Sequence, residues 1–222
     1  MTYRYELHAH TSEVSVCGRL PVAELIAKYK AAGYDGIVLT DHYSPMTFPL
    51  RKHFSKTQIN AHYLRSYREA QEAQTEDFTV LFGMELRFYA TVNDYLVYGI
   101  TPDMLEELPV LLPLRLRRAA KLLHEKGCLV LQAHPFRPWC SRANHKHLDG
   151  AEVWNGKTAA ELNAKAKAWA DGFGGIEIGG SDCHRDASLG TSGIVTEEKI
   201  RSNDDLLRIL KSGAFEIYRK DP

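Results

Sequence analysis

Short apolar runs alternate along this chain with longer stretches of helical periodicity. Tyr3 to Leu7 reads as a strand, and behind Pro21 the residues Val22, Leu25, Ile26 and Tyr29 recur at helical spacing. Gly33 is placed to close that helix. Tyr34 to Leu39 is a compact apolar run of the kind found in buried parallel strands, so the N-terminal stretch makes a βαβ unit. Further helices are predicted over Ile59 to Gln74, Pro113 to Lys126, Thr158 to Ala170 and Asp204 to Lys211. Strands are predicted over Phe78 to Met84, Cys128 to Gln132, Gly150 to Val153, Ile176 to Ile178 and Phe215 to Tyr218, with Leu86 to Ala90 and Asp94 to Ile100 also extended. Tyr43 to Phe54 and Phe136 to Leu148 read as loops.

The totals narrow the class. A chain of 222 residues without a recognisable linker is expected to form one domain over residues 1–222. An apolar fraction of 44% suffices for a sizeable core, and a formal net charge of zero gives no global reason to expect a nucleic-acid partner. No apolar run reaches the ~18 residues of a membrane span and no signal-peptide pattern opens the chain, so no membrane is expected and a cytoplasmic protein is. Cys17, Cys128, Cys140 and Cys183 form no Cys-x-x-Cys pair and read as reduced thiols. The ten histidines ask for an explanation.

Their placement supplies one. His8 and His10 stand two apart at the end of the first strand and so face the same way. A lone His-x-His is a weak signal, but four of the later apolar runs are followed by a residue of metal-binding type: His42, then Glu85, His134, and finally Asp182 with His184. In α/β folds the C-terminal ends of parallel strands converge on one rim, which would gather these side chains at one mouth. Imidazole and carboxylate together suit zinc, manganese or iron, and the set exceeds the four ligands of one tetrahedral site. Two or three divalent ions are the natural reading. Ions ~3.5–4 Å apart suit hydrolysis of phosphate esters.

The ordered motifs His8-Ala9-His10-Thr11, Thr40-Asp41-His42, Gly83-Met84-Glu85, His134-Pro135 and Gly180-Ser181-Asp182-Cys183-His184 resemble the PHP family, the polymerase and histidinol phosphatase superfamily of metal-dependent phosphoesterases. The resemblance runs from His8 to at least Gly190. It implies a distorted TIM-like (β/α)7 barrel with up to three metals on its C-terminal rim. It also implies that His8, His10, Glu85 and Asp182 hold one ion, that Glu85 and His134 share a second, and that His42 and His184 hold a third. Two positions depart from the pattern. Cys17 stands where relatives carry an Asp or His for the third metal, and a thiolate is a competent zinc ligand, although a free loop thiol is the alternative. Asp94 stands where relatives often supply a His, and it is either an oxygen ligand or simply the residue that starts a strand after a turn.

Substrate-side roles follow from the rim. Arg137 and Arg185 adjoin the proposed ligands and could take phosphate oxygens bidentately, joining Asp182 and His184 in the catalytic set. Asp41 reads as a residue that orients a neighbouring ligand. Arg19 and Lys157 rate no better than background. His53, His62, His124, His145 and His147 read as surface residues, and Trp139, Trp154 and Trp169 as rim or core packing, with Trp139 also placed to line a pocket. The expected function is hydrolysis of a small phosphate monoester, of the histidinol-phosphatase or nucleotide-phosphatase kind, by metal-activated water or hydroxide at a di- or trinuclear site. The partner is then a small phosphorylated substrate. The competing readings are a non-catalytic metal-binding regulatory domain, a nuclease-type phosphodiesterase, and hydrolysis of a non-phosphate ester or amide.

Overall fold

Gly83 and the pair Thr40-Asp41 interrupt two of the apolar runs, and each run thereby becomes two short strands in line. In a computed structural model describing residues 1–48, 54–73 and 75–220, the first two runs give β1 (Tyr3–Ala9) and then β2 (Gly36–Leu39) followed by β3 (His42–Tyr43). The third gives β4 (Thr79–Phe82) followed by β5 (Met84–Leu86). Then come β6 (Tyr95–Tyr98), β7 (Leu129–Gln132), β8 (Gly150–Asn155), β9 (Ile176–Gly180), β10 (Ser192–Thr196) and β11 (Glu216–Arg219). One sheet has the order β11-β10-β1-β2-β4 and the other β3-β5-β6-β7-β8-β9. Gly83 N donates to Leu39 O and Glu85 N to Asp41 O, which carries the pairing across the interruptions and joins the sheets.

The other seam closes at the rim. Ala9 bridges Cys183 in parallel, His10 N donates to Cys183 O, and Cys183 N donates to His8 O. The result is a mixed α/β ring of seven staves. Its distortion has two causes: β6 runs antiparallel to both β5 and β7, and β10 fills the seam lower down by pairing antiparallel with β1. Residues from strands all round the ring, including Leu7, Val38, Leu81, Leu96, Leu131 and Ile178, meet in one buried cluster with Leu206, Ile209 and Leu210.

The helices are α1 (Val22–Ala31), α2 (Lys56–Tyr63), α3 (Arg65–Ala73), α4 (Pro102–Glu107), α5 (Leu116–Glu125), α6 (Ala160–Asp171) and α7 (Asn203–Ser212). Gly33 follows α1 at φ +77°, the left-handed geometry a helix stop asks of glycine. The helix expected over Ile59 to Gln74 is divided at Leu64 and starts earlier, where Ser55 and Gln58 form a reciprocal capping box. Gln74, His53 and the rest of residues 49–53 lie outside the described residues. The periodicity missed α4, which is too short to show a repeat. Its start signals are nevertheless present: Thr101 accepts from Met104 N and Pro102 opens the helix. The apolar pattern also leaves out strand β10, and of Leu86 to Ala90 only Leu86 is strand, Arg87 and Phe88 being irregular and Tyr89 and Ala90 a turn. No helix of the described residues is long and apolar enough to cross a membrane.

Candidate metal centre

All five strand ends deliver their polar residues to the same rim. His8 and His10 leave β1, His42 and Glu85 are paired in register across β3 and β5, His134 follows β7, and Asp182 and His184 follow β9. Backbone is bent to do this. His134 and Asp182 sit at φ 29° and 51°, in the left-handed region that non-glycine residues avoid, at a cost on the order of 1–3 kcal/mol each. Gly180 permits the approach of β9 to β1, since a Cβ there would lie 2.5 Å from His8 Cβ.

Glu85 is the hub. One carboxylate oxygen lies 3.3 Å from His8 Nε2 and 3.0 Å from His134 Nε2, and the other lies 3.3 Å from His10 Nε2 and 2.7 Å from His42 Nδ1. Asp182 Oδ1 is 3.5 Å from His10 Nε2, 3.8 Å from His8 Nε2 and 3.0 Å from His184 Nδ1. Ligand atoms gather within 4.8 Å of one another in four overlapping groups: His8-His10-Asp182, His8-Glu85-His134, His10-His42-His184 and His42-Glu85-Asp94. His8, His10, Glu85 and Asp182 are almost completely buried.

Four of these buried atoms, His8 Nε2, His10 Nε2, His42 Nδ1 and Glu85 Oε2, make no hydrogen bond, although His42 Nδ1 and Glu85 Oε2 are close enough for one. Unsatisfied buried polar atoms are costly and normally rare, so three imidazole nitrogens gathered on the Glu85 carboxylate fit cations. Electrostatics agree. Burial works against the charged carboxylates, yet His42 and His8 hold Glu85 well below the usual carboxylate range, and His8 with its neighbours does the same for Asp182. Burial likewise opposes charge on His8, and Glu152, Glu85 and Asp182 overcome it to push the imidazole up. His10 goes the other way: burial and the neighbouring His42 and His184 lower it, and its Nε2 faces the cluster.

A layer of partners behind these groups fixes them. Glu152, fully buried, takes His8 Nδ1 at 2.9 Å and accepts from His134 N and Asn155 Nδ2. Asp41 accepts from Thr11, Ser15 and Ser66, and Ser15 Oγ stands 3.2 Å from His10 Nδ1. Asp41 therefore acts on a ligand through Ser15. Glu6 accepts from the backbone of His8 and Ser181 and from the Tyr29 hydroxyl, and burial pushes its carboxyl up to about 7. Reading strand ends missed Glu6 and Glu152, which lie inside strand runs. A carboxylate in an otherwise apolar run was the available signal.

The remaining candidates divide. Cys17, exposed in its loop, reaches the His42–His184 side of the cluster; burial would raise its thiol, but hydrogen bonds with His184 and His42 bring it down to about 6. Asp94 lies near His42 and Glu85, but both its oxygens accept from the Arg87 guanidinium, with Nε at 2.6 Å. Arg137 is turned onto Asp182 and Asn155. Arg185 is exposed and its side chain makes no ion pair or hydrogen bond among the described residues. Lys157, rated as background, stands 3.2 Å from His184 Nδ1 and 3.6 Å from Asp182 Oδ1. Trp139 neither packs into the core nor lines a pocket: it is 90% exposed.

The PHP-associated family matches residues 160–215, which span α6 to the end of α7. No curated protein matches the chain. Among solved structures, PsfC from Pseudomonas syringae shares the fold with a TM-score of 0.69 at 17% identity, over 93% of this chain and 88% of that one. A two-domain protein from Bacteroides vulgatus containing a predicted PHP-like metal-dependent phosphoesterase gives 0.64 at 17%, over 99% of this chain and 65% of that one. The lesion-specific endonuclease EndoQ from Pyrococcus furiosus gives 0.67 at 16%, over 98% of this chain and 58% of that one. The chain therefore shares its fold with these structures, one of them containing a predicted PHP-like domain, and its C-terminal segment matches the PHP-associated family.

Proposed function

We propose that this PHP-fold chain is a metal-dependent hydrolase of phosphate esters whose ions are held by His8, His10, His42, Glu85, His134, Asp182 and His184, with Cys17 as a further ligand. The observation that supports it most is the convergence of three buried imidazole nitrogens, those of His8, His10 and His42, on the Glu85 carboxylate. Bound divalent ions supply acidified water and stabilise charge developing on the phosphoryl oxygens. The chain's own part is orientation. Glu152 holds His8 through Nδ1 so that Nε2 faces the cluster, and Ser15 does the same for His10. Arg137 and Lys157 bring two positive charges to Asp182 at the open side, where a phosphate dianion would exchange for part of that contact. Arg185 takes no part in this arrangement.

The reading is tested by metal-stripped protein reloaded with manganese or zinc and assayed for phosphate release from an aryl phosphate. Release that depends on added metal and is abolished by His10→Ala and by Asp182→Ala is expected. Release that survives both substitutions overturns the site. A non-catalytic domain retains metal without release, and ester or amide substrates in the same assay separate a hydrolase of another bond.

A further inference from the structure

The zero net charge of the chain conceals a local imbalance. Between residues 108 and 148 there are eight lysines and arginines against one acid, Glu125. Folding brings this segment together as α5, the loop after β7 and the turn His145–His147 that packs on α5. Lys126 and Arg137 are spent on Glu107 and Asp182, and Lys121 stands 3.8 Å from Glu125. Arg117, Arg142 and Lys146 have no carboxylate within ion-pair distance among the described residues, and neither has Lys165 on the facing α6.

Aromatic rings lie between these cations. A groove of about 480 Å³ runs between the loop and α6, lined by Phe136, Arg142, His145, Lys165, Trp169 and Phe173. Trp169 meets Phe173 edge-on at 5.1 Å and Phe136 at 6.5 Å, and the exposed His145 ring stacks on Phe173 at 5.3 Å. A second hollow of about 530 Å³ is lined by Arg117, Lys121, His124, Lys146 and His147, with Glu125 as its one acid. Basic residues thus line two neighbouring hollows that share the His145–His147 turn. The loop that carries Phe136 also carries His134, two residues earlier.

Rings that accept stacking, interleaved with unpaired cations along a track, are the requirements of a single nucleic-acid strand. We propose that this face binds single-stranded nucleic acid, with a base in the Phe136–Trp169–Phe173 groove and phosphates along Arg142, Lys146, Arg117 and Lys165, leading the strand towards the metal centre. That the strand is the substrate rests on the phosphoesterase reading, whereas its binding does not.

The test is fluorescence anisotropy of metal-loaded protein with a labelled phosphorothioate oligothymidylate, beside aryl phosphate hydrolysis by the same samples. Four neutralised phosphates give a slope of log affinity on log salt of about −3, so affinity falls about 50-fold between ~50 and ~200 mM salt. The combined substitution Arg117→Gln, Arg142→Gln, Lys146→Gln and Lys165→Gln should flatten that slope and leave aryl phosphate hydrolysis unchanged. Trp169→Leu, which keeps apolar bulk and removes the indole face, should weaken binding about 5-fold or more at every salt concentration without altering the slope. Absent binding, or binding untouched by the four substitutions, overturns the proposal. Sensitivity to charge alone, with Trp169→Leu binding fully and heparin competing as well as the oligonucleotide, marks a general polyanion patch and overturns it too. Wild-type protein inactive on the aryl phosphate refutes the phosphoesterase reading and leaves the anisotropy result to decide this one.

Discussion

Replacing Glu6 by Gln should change how stability depends on pH, by an amount the structure sets. Glu6 is fully buried, and its Oε1 accepts from His8 N at 2.8 Å and Ser181 N at 2.9 Å while Oε2 accepts from Tyr29 at 2.7 Å. Gln can keep the first two bonds through its carbonyl oxygen and donate its amide to the tyrosine oxygen, so the fold tolerates the exchange. Burial raises the folded carboxyl from 4.5 to about 7, against the pull of its hydrogen bonds to Ser181 and Tyr29. Between those values the folded chain retains a proton that the unfolded chain has released, so raising the pH favours unfolding. The contribution is fully present below about pH 4.5, shrinks as pH rises, and is gone above about 7. At ~1.4 kcal/mol per pH unit the loss is about 3 kcal/mol. Urea unfolding of both proteins in chelator, across this range, isolates the effect in the wild-type-minus-variant difference. That difference should fall by about 3 kcal/mol and then level off. A difference that is flat, or that rises with pH, refutes the reasoning.

Three further outcomes are expected. Glu152→Ala should weaken metal affinity about 10- to 100-fold in a competition titration with a chromophoric chelator, because it releases His8 Nδ1 and the His134 backbone together; unchanged affinity would dismiss the orienting role. Metal affinity should climb with pH, since against burial Cys140 and Glu85 hold His134, and Asp182 and Cys17 hold His184, up to about 9, and each must lose its proton to ligate; proton uptake on metal binding would contradict this. Cys17, brought down to about 6, should be alkylated by iodoacetamide at neutral pH in metal-free protein and be protected by zinc, and equal labelling in both states would show a thiol outside the cluster.

Strand ends were the most legible part of this sequence, because a polar residue straight after a buried run stands where a parallel strand meets the rim. His8, His10, His42, Glu85, His134, Asp182 and His184 all surface at one mouth for that reason. The parts that stayed hidden depend on contacts distant along the chain. Glu152 meets His8 across 144 residues, and Lys157 meets His184 across 27, so neither announces itself locally. The arginines show the same limit. Arg137 and Arg185 both follow a proposed ligand, yet only Arg137 turns inward, to Asp182 and Asn155. Asp94 sits at the rim because β6 runs antiparallel and starts there, a reversal that an apolar run does not reveal. Net charge misleads in a different way, since it averages a basic face against acids elsewhere.

The account turns on Glu85, whose two oxygens face His8, His10, His42 and His134. Elemental analysis of zinc- or manganese-loaded protein after dialysis, compared with Glu85→Ala, tests it most directly. The account predicts two or three equivalents of metal per chain in the wild type and at most one in the variant, with the fold retained by circular dichroism. Wild-type protein that keeps less than one equivalent, or a Glu85→Ala variant that keeps them all, would contradict it.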